Sequence, residues 1–309
     1  MLFVIGSTLA LLLAQVTPAE RAETVNAPAE TIVDAAHDAS ERLTVPVMIA
    51  GHGPFRFLVD TGAQATVVTP ALVARLGLPA AGMAWVVGTD SRVLVPVFTM
   101  DDLEFADRSF SNLVVPQLEA RNIGADGILG LDALQDLRVL LDFRARELRV
   151  ADAHDLGGDK GYEIVVRARR RLGRMIIADA RVAGVRTAVI VDTGANTSIG
   201  NPALQARLRT RPGATVTSRD VNGVEATRTL ALVRNITIDR LQLADMPMSF
   251  TDSPAFRELG LSDKPALILG MRDLRTFERV AIDFRRARVL FDVPDSQIHL
   301  DRRDASRLN

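Results

Sequence analysis

Cysteine is absent from the 309 residues. Its absence removes disulfides, thiolate nucleophiles and cysteine metal sites together, and leaves the redox compartment open. Histidine is nearly as scarce. His37, His52, His154 and His299 are the only four, and no two stand at metal-ligand spacing. A histidine metal site and a Ser-His-Asp triad are therefore not expected, and no motif calls for a cofactor. The net charge is only −1, so there is no bulk pull toward nucleic acid or an anionic membrane. Aromatics are 5 % of the chain, with Trp85 the single Trp and Tyr162 the single Tyr.

Long apolar runs are also missing, except at the start. Leu2 to Val16 is apolar, and no charge appears before Glu20. The stretch is short for a membrane span and suits a signal-peptide core, although the usual basic start is missing. Export is expected, to the periplasm or on an uncleaved anchor formed by residues 2–16 and facing outside the cytoplasm. Residues 17–40, rich in Ala, Glu, Asp and Thr, read as a flexible spacer.

What the chain does contain is a repeat. Val59-Asp60-Thr61-Gly62-Ala63 recurs as Val191-Asp192-Thr193-Gly194-Ala195. Pro70-Ala71-Leu72 and Ala74-Arg75-Leu76 recur in step as Pro202-Ala203-Leu204 and Ala206-Arg207-Leu208. Downstream, Ile128-Leu129-Gly130 matches Ile268-Leu269-Gly270, and Asp142-Phe143 matches Asp283-Phe284. Two blocks in the same order point to duplication. A duplicated structural β domain would also give a repeat, but would not explain an acidic residue ending an apolar strand twice. The cut gives lobes at 41–150 and 162–293, a linker at 151–161 and a polar tail at 294–309, with residues 1–40 ahead of them.

Alternation predicts strands at 42–50 and 55–59 in the first lobe, with Leu43, Val45, Val47 and Ile49 on one face. The turn between them is expected at Gly51-His52-Gly53-Pro54. The second lobe repeats this with strands at 175–182 and 187–191 about Ala183-Gly184. Each Asp thus sits on a tight loop just past a buried strand. Pro70 and Pro202 open helical turns behind the caps Thr69 and Asn201. Two hairpins follow, one with the polar tip Gly88-Thr89-Asp90-Ser91. The other has strands at 215–221 and 224–232 about a two-residue Asn222-Gly223 turn. Further strands are expected at 113–115 and 236–238. Trp85 is expected in the core. Helix is confined to short pieces, so the class is mostly β.

If the lobes pack about a pseudo-twofold axis, Asp60 and Asp192 share one site. Two carboxylates at hydrogen-bonding distance do not both ionise easily, so one proton is shared. The ionised member can take a proton from water, and the protonated member can hydrogen-bond a substrate carbonyl. Thr61 and Thr193 are expected to fix the loops by hydroxyl-to-backbone bonds across the axis. Gly62 and Gly194 allow the tight turn and the close approach. The Ile-Leu-Gly triplets are expected behind the Asp loops, and the two hairpin tips are candidate flaps.

The phrase Asp-Thr-Gly-Ala, followed by an apolar-apolar-Gly triplet and a short helix, resembles the retropepsin-like aspartic proteases. Here the pattern occurs twice and spans most of residues 42–293. The resemblance implies two acid-protease β-barrel lobes of retropepsin and pepsin type in one monomeric chain. It implies an endopeptidase acting on peptide or protein substrates, with Asp60 and Asp192 as its dyad and Thr61, Gly62, Thr193 and Gly194 in support. The flap tyrosine of the pepsin type has no counterpart. The competing reading is a catalytically silent module of the same fold that binds peptides in the cleft; a third has each half pairing with its copy in another chain.

Overall fold

The computed structural model describes residues 43–151, 156 and 158–294, together with strand segments at 2–4, 31–34 and 36–37. Most of residues 1–42, where the leader and spacer were expected, residues 152–155 and 157 of the expected linker, and residues 295–309 lie outside the described residues.

Each Asp loop is carried by a hairpin. Leu43–Ile49 pairs with His52–Val59, and Arg174–Val182 pairs with Val185–Val191, both antiparallel. Alternation buries Val45, Val47 and Ile49 on one side of the first strand. The turns are Ala50-Gly51 and Ala183-Gly184, with φ of 47°, 72°, 46° and 85°. Positive φ at both central residues is the two-residue geometry that suits strand twist. This corrects the expected turn in the first lobe: the chain reverses earlier, and His52 opens the second strand as an exposed residue.

The Ile-Leu-Gly segments then slot in beside the Asp-bearing strands. Gly127–Leu129 runs parallel to His52–Val59, and Ala266–Leu269 runs parallel to Val185–Val191. Short helices follow at Leu131–Leu134 and Met271–Leu274. The helices Pro70–Leu76 and Pro202–Gln205 begin as their caps predict, the Thr69 and Asn201 side chains accepting from Leu72 N–H and Leu204 N–H.

The first candidate flap is the hairpin of Ala80–Val87 and Arg92–Met100, in a four-stranded sheet with Leu113–Pro116 and Leu2–Val4. Trp85 is not in the core. Ala84 and Val86 take the inward side, so alternation turns Trp85 outward, 41 % exposed, with the Arg92 guanidinium 4.8 Å above its ring. The second flap joins Arg211–Arg219 to Glu225–Ile238. The strands expected at 224–232 and 236–238 are one continuous strand. Asn222-Gly223 is also not a two-residue turn. The Asp220 carboxylate accepts from Asn222 N–H and Val224 N–H at 3.0 and 2.9 Å, closing residues 220–224 into one loop. An Asx-type side chain has here outcompeted the ladder.

A six-stranded sheet joins the halves. Arg138–Asp142 from the first lobe pairs antiparallel with Arg279–Asp283 from the second. Arg138 and Asp283, both fully buried, form an ion pair at 2.8 Å across that seam. The main hydrophobic core runs through both lobes, from Val45 and Phe57 to Leu269 and Phe291. The molecule is mostly β, with two lobes built on equivalent hairpins. Among the described residues no helix is long and apolar enough to cross a membrane.

Candidate active site

The Asp loops meet at the seam between the lobes. Asp60 N–H donates to Leu129 C=O at 3.0 Å, and Asp192 N–H donates to Leu269 C=O at 3.1 Å, so each Ile-Leu-Gly strand anchors its loop. Gly62 N–H donates to Asp60 Oδ1 at 2.7 Å, and Gly194 N–H to Asp192 Oδ1 at 2.9 Å. These bonds fix the orientation of both carboxylates.

The loops grip each other reciprocally. Thr61 N–H donates to Thr193 Oγ1 at 3.0 Å, and Thr193 N–H donates to Thr61 Oγ1 at 3.1 Å. The hydroxyls pass the interaction on, Thr61 to Val191 C=O at 3.0 Å and Thr193 to Val59 C=O at 2.6 Å. Every polar atom in this buried square has a partner in the other lobe. Thr193→Val is therefore expected to orphan a buried N–H and a buried C=O. Each orphan costs about 1–3 kcal/mol, and Thr193→Ser should recover most of it. Urea midpoints of the two variants check this; equal loss in both would mean the methyl group, not the hydroxyl, matters.

Glycine is required here for space. A Cβ on Gly62 would lie 2.4 Å from Asp192 Oδ2, and one on Gly194 would lie 2.3 Å from Asp60 Cγ. The bare α-carbon of each loop is thus packed against the opposite carboxylate. Asp60 and Asp192 are 7 % and 8 % exposed. Burial, and then the neighbouring Asp60 charge, push the Asp192 carboxyl above the usual carboxylate range, against the pull of Arg174.

A support lies behind each loop that the sequence reading missed. Asp132 accepts from Thr66 N–H and from the Thr66 hydroxyl at 2.7 Å, and Thr66 Oγ1 accepts from Gly130 N–H at 3.3 Å. In the second lobe Ser198 donates to Asp273 and accepts from Gly270 N–H at 3.1 Å. Burial raises both carboxyls, their hydrogen bonds opposing it. Thr66 and Ser198 are equivalent positions of the repeat. The acids are not, since Asp132 aligns with Arg272, and this one-place slip hid the pair from alignment.

Over the two Asp loops the tips of the candidate flaps interlock. Asp220 Oδ2 accepts from Ser91 Oγ at 2.6 Å and from Asp90 N–H at 3.3 Å. Asn222 Nδ2 donates to Val86 C=O at 3.2 Å, and Arg228 pairs with Asp90. Beneath the tips is a cavity of about 120 Å³, lined by Asp60, Asp192, Asp90, Asn122, Asn196 and Asp220 among others. Pockets that hold drug-sized ligands have volumes of roughly 300 Å³ or more, so with the tips closed this cavity is too small for such a ligand. Asp220→Ala removes the acceptor that ties them. Amide exchange at residues 88–91 is expected to rise about tenfold or more, as loss of hydrogen bonds to a charged group implies; unchanged exchange would show that the Arg228–Asp90 pair suffices. A larger cavity of about 430 Å³, between Ala183-Gly184 and Arg207–Thr210, lies away from the carboxylates. Its size does not make it the better site, because it lacks a paired acid or a buried polar anchor.

Paired β lobes on a shared sheet, with an Asp-Thr-Gly loop from each meeting at the seam, define the acid-protease fold. Residues 45–133 and 178–272 each match the family described as aspartyl protease, and the chain belongs to that family in its retropepsin-like form. No curated protein sequence matches the chain.

Proposed function

We propose that the protein is an aspartic endopeptidase that hydrolyses peptide bonds with a water held between Asp60 and Asp192. The observation that carries this is the mutual packing of each loop glycine on the opposite carboxylate, which brings two buried acids into one site. Burial and the neighbouring Asp60 charge favour the neutral form of Asp192, so this reading places the shared proton there. Asp60 takes a proton from the water as its oxygen bonds the scissile carbonyl carbon. The Asp192 proton meets the carbonyl oxygen as negative charge develops there. When the tetrahedral intermediate collapses, the C–N bond breaks and the amine nitrogen leaves with a proton returned by the dyad.

One feature favours an extended peptide as substrate. Asp90 Oδ2 and Asn122 Oδ1 belong to residues lining the cavity and are buried without a hydrogen-bond partner among the described residues. A peptide backbone supplies N–H donors to such acceptors. The apolar start at residues 2–16 supports export, with substrates outside the cytoplasm.

The test is cleavage of a mixture of unstructured peptides between pH 3 and 8, followed by mass spectrometry. Cleavage should resist chelators, stop with a statine-type inhibitor and place one solvent oxygen in each new carboxylate. Tight peptide binding without cleavage at any pH would replace this reading with a silent binding module.

A further inference from the structure

Arg174 is a charged side chain beside the dyad that this chemistry leaves unused. It opens the strand Arg174–Val182 of the second lobe and is 1 % exposed. Its guanidinium crosses to the first lobe and donates to Gly62 C=O. Gly62 is thereby held at both ends, its N–H by Asp60 and its carbonyl by Arg174. The preceding turn docks on the same loop region. Gln64 Nε2 donates to Leu172 C=O at 3.1 Å, and a Cβ on Gly173 would lie 2.9 Å from Leu131 Cδ1.

Sealing a guanidinium from water is costly unless negative charge compensates it. The compensating charges are Asp192 and Asp60, which oppose the downward push of burial on Arg174. Conversely, among the described residues the charged groups acting on Asp192 are Asp60 and Arg174. A carboxylate pair with one shared proton carries one negative charge, opposite in sign to the Arg174 guanidinium. Arginine suits this place because it keeps its proton throughout the range in which carboxylates titrate.

We propose that Arg174 is a positioning residue for the dyad: it pins the Asp60 loop from the opposite lobe, and its charge sets the pH range in which Asp60 and Asp192 hold one proton between them. The inference rests on reading the two acids as a proton-sharing pair. Its test does not depend on finding a substrate. The protein is labelled with ¹³C at aspartate carboxyls, the two resonances are assigned with Asp60→Asn and Asp192→Asn, and their titration is followed in wild type, Arg174→Gln and Arg174→Lys. With Gln the coupled steps should move to higher pH by about one unit or more, because an opposite charge has been removed from beside the pair. With Lys, which keeps the charge, they should stay near wild type. If Arg174→Gln does not fold, Arg174→Lys decides alone, and a large upward displacement there overturns the proposal. A Gln variant that titrates as wild type, while Asp60 and Asp192 still titrate as a coupled pair, removes the role of Arg174 and leaves the dyad standing. Independent titration of the two acids in wild type removes the dyad and this inference with it.

Discussion

Asp192→Asn is expected to lose peptide hydrolysis by about 10³-fold or more in kcat/KM, the scale of a removed acid/base partner, while the folded protein becomes more stable at neutral pH. The two effects share one cause. Burial and the Asp60 charge raise the Asp192 carboxyl in the folded state. A raised acid contributes stability that is fully present below its unfolded value, about pH 4, and is lost as pH rises through the folded value. Asparagine is neutral at every pH, so the variant does not suffer that loss. Urea midpoints of wild type and variant should coincide below about pH 4 and separate above it, with the variant higher. Activity falling without this crossover would mean that Asp192 is not held as a strained acid. Full activity in the variant would sink the shared-dyad mechanism.

Gly194→Ala is expected to be nearly as severe by a different route. A methyl group 2.3 Å from Asp60 Cγ cannot be accommodated without movement. Neither neighbour yields easily, since Asp60 is oriented by Gly62 N–H and the loop by the threonine bonds. Overpacking at such a contact costs about 1–3 kcal/mol. The displaced carboxylate should lower kcat by about a hundredfold, the scale of a small misplacement of a reacting group. Gly62→Ala, facing Asp192 in the same way, should match it. Paired urea and single-turnover measurements check both. A variant within tenfold of wild-type kcat would show that the loops separate without harm, and that the close approach is not needed for turnover.

The part of this molecule readable from its residues was whatever the duplication wrote twice. The mostly β, two-lobed fold follows from matched hairpins, matched Ile-Leu-Gly strands and matched Asp-Phe turns. Each of these is encoded within a few neighbouring residues. The meeting of the two Asp-Thr-Gly loops was legible for the same reason, down to the cross-lobe threonine bonds. What escaped depends on contacts far apart in the chain. Trp85 looked like core because it is aromatic and apolar-flanked, yet the strand's period sends it outward. Asn222-Gly223 looked like a hairpin turn because the dipeptide favours one, but Asp220 folds a wider loop that meets residues 88–91. Arg174 sits 112 positions from the Gly62 carbonyl it holds, and nothing local in Arg171-Leu172-Gly173-Arg174 announces that partner. Asp132 and Asp273 do equivalent work from non-equivalent places, so alignment alone does not pair them.

The seam between Arg138–Asp142 and Arg279–Asp283 has a consequence for how the site responds to dilution. Two acids contributed by separate chains meet only while those chains stay associated, so such a site vanishes as concentration falls. Here the second lobe is tethered to the first and hydrogen-bonded to it along a continuous sheet. Its effective concentration is therefore a property of the molecule and not of the solution. If the proposed hydrolysis is the activity, its specific rate is expected to stay constant on serial dilution; a fall would mean that a second chain completes the site.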